Sequence, residues 1–535
     1  MSFFAGKLSF RHPQAGAGHR GGRLVVANPS APFETIDPAL EGHKALSSVY
    51  DALLDVARRG GSEGTRVVPD LAVSLPRVTA GGISYAFRLR RGIRYSDGTL
   101  LKASDFRRAF ERLFRGRHGV AVNFRSLVGA EACERRPRSC DLRRGIRTND
   151  AAGTIVFHLR RPDAEFQFLL EVMPPVPPGT SDRDVGTRPA PSTGPYMIES
   201  YVPERELKLV RNPYFRVWSQ AATPDGFPDE IVFRLHLKGD AAVTAVERGR
   251  VDVSLGVPLD RLEEVATRYA SQLHSNPAPG TMFFLFLNTR LRPFDDVRVR
   301  RAINYAVDRA AVVRTQGGPE LAQPLCQIRP PSIAGYRPYC PYTLDRTRAG
   351  EWKAPDLARA RRLVAASGTR GIKVTLWTFP LLEKTARELV ATLEKLGYRT
   401  SLRRVAFRSY FLVVLDAKTR AQAGMFGWIG GSGELPSYVL PLLACNSIRP
   451  GPQNQNPSFF CNRRIDAEIR RALRIQGADA DAAAPLWVKI ERELVDQAPW
   501  VSLFTPQFVD FVSKRVGNYQ YNPASAILLD QLWVR

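Results

Sequence analysis

The spacing of apolar and polar residues along the chain predicts an alternating series of strands and helices. Residues 83–90 alternate as a half-buried strand does, whereas residues 102–114 repeat their apolar positions with helical spacing. Further on, strands at 372–378 and 400–405 enclose a helix at 382–396, which is the succession of a βαβ unit. The pattern therefore predicts a mixed α/β protein.

Two further segments carry helical patterns. We expect one helix over 44–59 and a single helix over 296–314. In the second, Asp296 is placed to cap the first turn, and Asp308 and Arg309 near the end are expected to form ion pairs.

Length and composition narrow the class of protein. The chain has 535 residues, which predicts several domains at roughly 150 residues each. It is 44% hydrophobic, 10% aromatic and 24% charged, which excludes a disordered, collagenous or coiled-coil protein. No apolar run approaches the roughly 18 residues of a membrane helix, so a polytopic membrane protein is excluded as well.

The net charge of +25 raises the question of a nucleic-acid partner. The basic residues are scattered through the chain, and the densest runs, at 134–138 and 143–147, are short. No helix-turn-helix, zinc-finger or RNA-recognition signature accompanies them. We therefore expect no nucleic-acid partner, only a weak preference for acidic surfaces or anionic ligands.

The six cysteines lie as three local pairs in Pro-, Arg- or Asn-rich segments. Six cysteines allow fifteen pairings, so sequence does not fix the connectivity. Neither Cys-x-x-Cys spacing nor a nearby His suggests a metal site. Three short-loop disulfides are the simplest proposal and imply an oxidising compartment; they would join Cys133 with Cys140, Cys326 with Cys340, and Cys445 with Cys461.

The N-terminal residues 1–22 are expected to form a disordered leader. They contain neither an apolar core of signal-peptide length nor a cysteine for lipid attachment. A processed form, a piece of a larger fusion and a misplaced start are all compatible with this segment.

A search for catalytic motifs finds none. The seven histidines are dispersed, with no i, i+4 pair suited to a metal. There is no Gly-x-Ser-x-Gly elbow, no phosphate-binding loop and no dinucleotide-binding fingerprint, and the Gly-rich stretch 427–433 carries no lysine. We expect no catalytic residue, no metal, no cofactor and no enzymatic activity.

Several motifs occur in one order along about 23–535. They are Ser96-Asp97-Gly98-Thr99, Thr193-Gly194-Pro195-Tyr196, Leu287-Asn288-Thr289 with the segment 293–309, Phe426-Gly427-Trp428, and the segment 496–500. As an ordered set they resemble the extracytoplasmic solute-binding proteins of the peptide- and nickel-type ABC importers, known as family 5.

This resemblance implies an α/β, two-lobed periplasmic-binding-protein (Venus-flytrap) fold with an extra subdomain on the first lobe. Lobe one would comprise 23–278 and 504–535, with the extra subdomain at about 45–192, and lobe two would run over 279–503. Two crossing strands near Thr281 and Leu503 would form the hinge.

The implied function is to capture a peptide or similar small solute in the interlobe cleft and present it to the permease subunits of an ABC importer. The chain would be a monomer outside the cytoplasm, in contact with a membrane only through the permease or a lost anchor. The alternative is a ligand-sensing module of the same fold, coupled or fused to a signalling protein.

The resemblance also suggests ligand-binding residues. In peptide-binding members an Asp after the Gly-Trp pair anchors the ligand's α-ammonium group, but here that position is Gly431 and the following acid is Glu434. Free-amino-terminus recognition is therefore in question unless Glu434 substitutes. The candidate ligand-binding residues are Trp428, Phe426, Gly427, Ile429, Gly430, Glu434, Tyr438, Asn446, Pro32, Phe33, Glu34 and, on the far wall, Phe124.

Overall fold

The computed structural model describes residues 19–27, 35–40, 46–79, 81–163, 166–430, 434–451, 454–476 and 480–535. Its strands are β1 (Arg23–Ala27), β2 (Leu54–Val56), β3 (Val67–Pro69), β4 (Arg77–Thr79), β5 (Ser84–Arg88), β6 (Ile146–Asn149), β7 (Thr154–His158), β8 (Tyr196–Val202), β9 (Glu206–Arg211), β10 (Glu230–Arg234), β11 (Val253–Leu255), β12 (Leu273–Pro277), β13 (Thr281–Leu287), β14 (Ala322–Pro324), β15 (Lys373–Thr378), β16 (Arg399–Arg404), β17 (Ala423–Ile429), β18 (Trp500–Val512), β19 (Val516–Gly517), β20 (Tyr521–Asn522), β21 (Ala526–Ile527) and β22 (Trp533–Val534).

The α-helices in the same residues connect these strands. They are α1 (Ala103–Arg115), α2 (Ala130–Arg135), α3 (Phe166–Leu169), α4 (Gly239–Glu247), α5 (Leu259–Arg268), α6 (Val297–Ala306), α7 (Arg309–Thr315), α8 (Leu357–Ser367), α9 (Glu383–Lys395), α10 (Phe407–Leu415), α11 (Pro436–Leu442), α12 (Arg463–Gln476) and α13 (Ala480–Gln497). Among these described helices, none combines the length and the apolar character that a membrane span requires.

One long strand, β18, connects the two halves of the main sheet. The sheet runs in the order β16-β15-β17-β13-β18-β11-β1-β10-β9-β8, and β12 and β14 also pair with β18. The first part of β18 pairs with β13, where Phe504 lies opposite Phe283. Its last part pairs with β11 and β12, where Asp510 lies opposite Leu255 and His274. A single strand therefore runs through both halves of the molecule.

The buried apolar residues form separate cores. One core is drawn from residues 282–504, and we call the part of the molecule around it the second lobe. The first lobe is built around cores drawn from residues 24–265 together with 509–532. A further core, from residues 39–176, belongs to an additional subdomain. The predicted two-lobed α/β fold with an extra subdomain is confirmed.

The subdomain is a small sheet covered by one amphipathic helix. Strands β4-β5-β7-β6 form the sheet, and helix α1 buries Phe106 and Phe110 towards it. The ring of Phe110 packs edge-on against Phe157 of β7. The helix predicted at 102–114 is thus confirmed, because its apolar face finds a partner.

The helix predicted at 44–59 is wrong. Residues 41–45 lie outside the described residues, 46–49 form a turn, and Leu54–Val56 form strand β2, which pairs with β3. The carboxylate of Asp51 accepts a hydrogen bond from the Thr193 hydroxyl at 2.6 Å. Backbone and side-chain partners distant in sequence therefore outweigh the local helical pattern.

The helix predicted over 296–314 is interrupted. Asp296 caps α6 as expected, accepting from the Arg298 backbone N–H, but the helix ends at Ala306 and Asp308 caps a second helix by accepting from Ala311. The buried guanidinium of Arg309 forms no described ion pair and donates to the carbonyls of Leu325 and Ser502, both at 2.9 Å. The expected Arg309 ion pair is therefore wrong.

The three predicted disulfides are present, joining Cys133 to Cys140, Cys326 to Cys340, and Cys445 to Cys461. Of the leader predicted at 1–22, residues 1–18 lie outside the described residues. At its end, the backbone N–H of Gly21 donates to the carbonyl of Phe227 at 2.9 Å.

Candidate functional site

The turn between β12 and β13 carries the chain from the first lobe to the second. Its Gly280 has φ +54°, and a Cβ there would approach the Gly430 carbonyl oxygen to 2.9 Å. The Gly280 carbonyl accepts from the Gly430 N–H at 3.0 Å and from the Tyr438 hydroxyl at 2.5 Å. Its own N–H donates to Ser332 Oγ at 3.2 Å. Three segments of the second lobe thus converge on this turn.

The edge of the second-lobe sheet beside this turn exposes apolar side chains. Strands β15, β16 and β17 are parallel, so their carboxyl ends meet here. Ile429, at the end of β17, is 67% exposed. Leu381, which follows β15, is 73% exposed, and Phe407, which follows β16, is 56% exposed. Ligands of open α/β sheets bind at the carboxyl ends of strands, so this edge is suited to bind apolar groups.

A cavity of about 880 Å³ lies between the lobes, beside strand β18 and the β12–β13 turn. These two segments run from one lobe to the other, and we call the place where they do so the crossing. Its size falls within the range of about 300–1,000 Å³ typical of small-molecule sites. The second lobe supplies the loop 331–337, and the first lobe supplies side chains rich in hydroxyl and amide groups. The first-lobe lining residues are Gly60, Gly61, Thr65, Asn276, Pro277, Asn518, Tyr519, Gln520, Tyr521 and Pro523.

Hydrogen bonds fix the tyrosines of the first-lobe wall. The Tyr519 hydroxyl donates to Asp510 Oδ2 at 2.8 Å and accepts from Asn276 Nδ2 at 2.7 Å. The Tyr521 hydroxyl donates to the Pro277 carbonyl at 2.9 Å. Burial raises the pKa of Asp510 to about 6, while the Tyr519 hydrogen bond opposes that rise. These contacts hold both rings in place at the cavity.

Behind the second-lobe wall lies a set of buried charged groups. The Arg329 guanidinium donates to the Ala334 carbonyl at 2.6 Å, and the Arg329 backbone N–H donates to Glu491 at 2.7 Å. Glu434 accepts from Gln476 Nε2 at 2.5 Å. Burial raises the pKa of Glu434 to about 7, partly offset by the Arg329 charge. No group of three or more His, Cys, Asp or Glu in the described part of the chain is arranged to hold a metal ion.

Part of the predicted set lies along β17 and beside the crossing turn. Ile429 ends that strand, Gly430 follows it directly, and the ring of Tyr438 is buried over Gly430. Trp428 is half-buried and donates its indole N–H to the Ser437 carbonyl at 2.9 Å. The structure thus brings together four of the predicted residues beside the crossing turn, but none of them is among the residues that line the cavity.

Other predicted residues lie in cores or apart from the turn. Phe426 is 3% exposed and packs on Phe284 and Phe411, while Gly427 lies against the ring of Phe283. Phe124 is 1% exposed, edge-on to Phe110 in the subdomain core, and Asn446 is exposed. The predicted contacts at Pro32, Phe33 and Glu34, and the anchor position Gly431, lie outside the described residues.

The sequence reasoning missed the tyrosines and the loop that line the cavity. The available signals were the two-residue spacing of Tyr519 and Tyr521 near the end of the chain, and the Pro330-Pro331 pair between Cys326 and Cys340. Neither signal indicates by itself that the two segments face one cavity.

The chain is similar to known proteins over most of its length. The family model for bacterial extracellular solute-binding proteins, family 5 Middle, matches residues 66–449. The chain is 23% identical to the glutathione-binding protein GsiB of Salmonella choleraesuis over 528 residues, covering 95% of this chain and 93% of that protein. It is 25% identical to di/tripeptide-binding protein 2 of Pseudomonas aeruginosa over 538 residues, covering 94% of this chain and 93% of that protein.

Among solved structures, the fold is similar to that of clavulanic acid biosynthesis oligopeptide binding protein 2. The TM-score is 0.83 at 25% identity, and the match covers 96% of each chain. The similarity therefore extends over both lobes and the subdomain.

Proposed function

The chain belongs to the bacterial extracellular solute-binding proteins of family 5, and on that premise we propose that it captures a short peptide or similar small solute between its lobes. The observation that carries this proposal is the cavity of about 880 Å³, which residues of both lobes line at the crossing. Two relatives, a di/tripeptide-binding protein and a glutathione-binding protein, support the same ligand class.

The lobes would extend over 23–278 with 504–535, and over 279–503, with the subdomain at about 45–192. The separate buried cores support this division into two lobes and a subdomain, although Phe504 packs in the second-lobe core and Leu46, Val49 and Tyr50 pack in a first-lobe core. A ligand that contacts both walls of the cavity binds the closed arrangement better than the open one and so shifts the population towards it. Closure would take place around β18 and the β12–β13 turn.

The ligand would extend from the cavity to the exposed end of β17, which does not itself line the cavity. There Ile429 offers apolar surface and the half-buried Trp428 offers part of its ring. Gly430 lets the Tyr438 ring pack directly against the backbone beside this surface, because a Cβ there would collide with the ring atoms. The carboxyl group of Glu434 accepts a hydrogen bond from Gln476 through its Oε2 atom. Its role would therefore be to support this segment.

The family consists of substrate-binding transport proteins, and we assign this chain a binding role without catalysis. It would act as a monomer outside the cytoplasm and pass its ligand to the permease of an ABC importer. The three disulfides support an oxidising location, because such bonds persist there.

Thermal unfolding of the oxidised protein tests this proposal. The protein is first denatured and refolded to remove any carried ligand, and it is then heated with pools of di- to pentapeptides, amino acids, sugars or metal chelates. A ligand at about 100 times its Kd stabilises the native state by about 2.7 kcal/mol. We expect a higher melting temperature with a peptide pool, whereas no shift with any peptide pool would overturn the peptide assignment.

A cavity-filling variant shows whether the shift comes from this site. Ala334→Trp places a large ring in the wall of the cavity and should abolish the shift. Ala366→Trp, at an exposed position of α8, is the matched control and should retain it.

A further inference from the structure

Beyond peptide capture, we propose that the second lobe carries a separate site for a phosphate group. The site is an open cavity of about 600 Å³, formed by α6, the segment 339–346, the start of α8 and the end of α13. Among the described residues it shares no lining residue with the interlobe cavity. The ligand would be inorganic phosphate or a small phosphomonoester, held by three arginines and one tyrosine hydroxyl.

The positive side chains that line this cavity are Arg301, Arg346 and Arg359. None of them forms an ion pair with a carboxylate in the described part of the chain. Two lie over tyrosine rings: the guanidinium carbon of Arg359 is 4.5 Å from the ring centroid of Tyr305, and that of Arg346 is 5.1 Å from the ring centroid of Tyr339. Guanidinium groups bind phosphate oxygens through paired N–H···O bonds, so these three suit a phosphate group.

The hydroxyl of Tyr305 is an independent sign of a ligand. Tyr305 is 6% exposed and lines the cavity, yet its hydroxyl has no hydrogen-bond partner among the described residues. Burial raises the pKa of this hydroxyl and Asp356 adds to that rise, so the hydroxyl remains protonated at neutral pH and can donate. The three arginine charges oppose the rise, which places all of them within electrostatic range of the hydroxyl. A buried donor that the fold leaves unpaired is available to an anionic oxygen.

Three carboxylates also line the cavity, and the protein already engages two of them. Asp356 caps α8 by accepting from the Arg359 backbone N–H at 2.8 Å, and Asp496 Oδ1 accepts from the Tyr339 hydroxyl at 2.8 Å. The third, Asp345, is exposed, and its carboxylate forms no hydrogen bond or ion pair with the described residues. The lining therefore has as many carboxylates as guanidinium groups, but only Asp345 is left to compete with an anionic ligand.

The set of donors favours a phosphate group over a carboxylate. A carboxylate offers two oxygens, whereas this wall presents three guanidinium groups and a hydroxyl. A phosphomonoester offers three strong acceptor oxygens and carries a charge of about −2 near neutral pH. It can therefore accept from more of these donors at once than a carboxylate can.

Calorimetric titration at about pH 7.5, where phosphate is mostly doubly charged, and at constant ionic strength tests this site. The probes are inorganic phosphate, glucose 6-phosphate and acetate. We expect at least one phosphate probe to bind with a Kd of about 1 mM or below, and acetate to bind at least about tenfold more weakly. Similar affinities for the two phosphate probes would identify the phosphate group alone as the ligand, whereas tighter binding of the ester would identify a phosphomonoester.

Variants then identify the residues responsible. Arg359→Gln and Tyr305→Phe should each raise the Kd for the phosphate probe about tenfold, as loss of a hydrogen bond to a charged group does. Asp345→Asn should lower that Kd about threefold, because the carboxylate repels a phosphate group. Arg361→Gln, at an exposed position of α8 that does not line the cavity, is the matched control and should leave Kd unchanged. Tyr305→Phe should melt at the temperature of the unmodified protein, because the hydroxyl bonds to no described group.

Several results would overturn the site. They are binding of neither phosphate probe, acetate binding as tightly as phosphate, and unchanged phosphate affinity in both Arg359→Gln and Tyr305→Phe. Weaker phosphate binding by Asp345→Asn would assign the cavity to a cation and overturn the proposal as well. None of these results bears on peptide capture, which the melting shift with peptide pools measures at other residues.

Discussion

The exposed side chain at the end of β17 offers a clear test of where the ligand lies. Ile429 is 67% exposed, so most of its apolar surface makes no contribution to the folded core. Under the proposed function a bound ligand covers this surface. Ile429→Ala should therefore weaken ligand binding by more than it lowers the free energy of unfolding, because only the buried third of the side chain, worth about 0.8 kcal/mol, stabilises the fold.

The size of the effect follows from the area that the ligand can cover. Replacing Ile by Ala removes three carbon atoms, worth about 2.4 kcal/mol at about 0.8 kcal/mol for each buried group. Because Ile429 is 67% exposed, roughly two thirds of that value, about 1.6 kcal/mol, depends on the ligand. We therefore expect Kd to rise about tenfold to fifteenfold.

Calorimetric titration with the peptide identified by thermal unfolding measures Kd, and urea unfolding without peptide measures stability. The matched control is Val202→Ala, which removes apolar surface from a position 48% exposed at the end of β8 in the first lobe. That variant should leave Kd unchanged and lower the free energy of unfolding by about as much as Ile429→Ala does, about 0.8 kcal/mol. An unchanged Kd for Ile429→Ala, or a loss of stability equal to its loss of affinity, would refute the placement of the ligand at β17.

Three other predictions concern stability, measured by urea unfolding. Asp37→Asn leaves the buried Arg112 guanidinium without its carboxylate partner and should cost about 3–5 kcal/mol, and a loss below about 1 kcal/mol would contradict the pairing. Burial raises the pKa of Asp510 to about 6 from its ordinary value of 3.8. The stability that the protonated Asp510 contributes is therefore fully present below about pH 4 and is lost as the pH rises through about 6. Asp510→Asn should abolish that part of the fall in stability with pH, and parallel pH profiles of the variant and the unmodified protein would refute the prediction. Replacing Cys445 and Cys461 together by Ser opens a loop with a sequence separation of 16 and should cost about 3 kcal/mol, a loss that reduction of the unmodified protein should reproduce or exceed.

Local periodicity correctly predicted a helix that buries one apolar face against a neighbouring sheet. Helix α1 was predictable because Phe106 and Phe110 recur at helical spacing, and the small sheet beside it accepts that face. The helix predicted at 44–59 was wrong because polar groups of this segment bond to residues distant in sequence. Asp51, for example, accepts a hydrogen bond from the Thr193 hydroxyl. Arg309 was misassigned for a similar reason, since carbonyl groups from other segments surround its guanidinium.

The candidate site was predictable only in part. The end of β17 follows the Phe426-Gly427-Trp428 motif, so its position near the crossing could be expected from the resemblance. The cavity wall could not, because it combines the segments 60–65, 331–337 and 518–523, which are far apart in sequence. Only the three-dimensional arrangement shows Arg337 as the one charged side chain among the described lining residues.

The hydrogen bonds at the crossing also indicate how a ligand acts on the lobes. The Pro277 carbonyl is bound by the Tyr521 hydroxyl of the first lobe, whereas Gly280 is bound by Gly430 and Ser332 of the second. Under the proposed function, closure would bend the chain between Pro277 and Gly280, where the Ala278 backbone N–H also donates to the Pro506 carbonyl of β18 at 2.9 Å. Tyr521 and Ser332 both line the cavity, so a ligand that touches the two walls contacts the anchors on both sides of this turn. Under the proposed function, ligand contact and lobe rotation would therefore be coupled at the same few residues, as a population shift by differential contact requires.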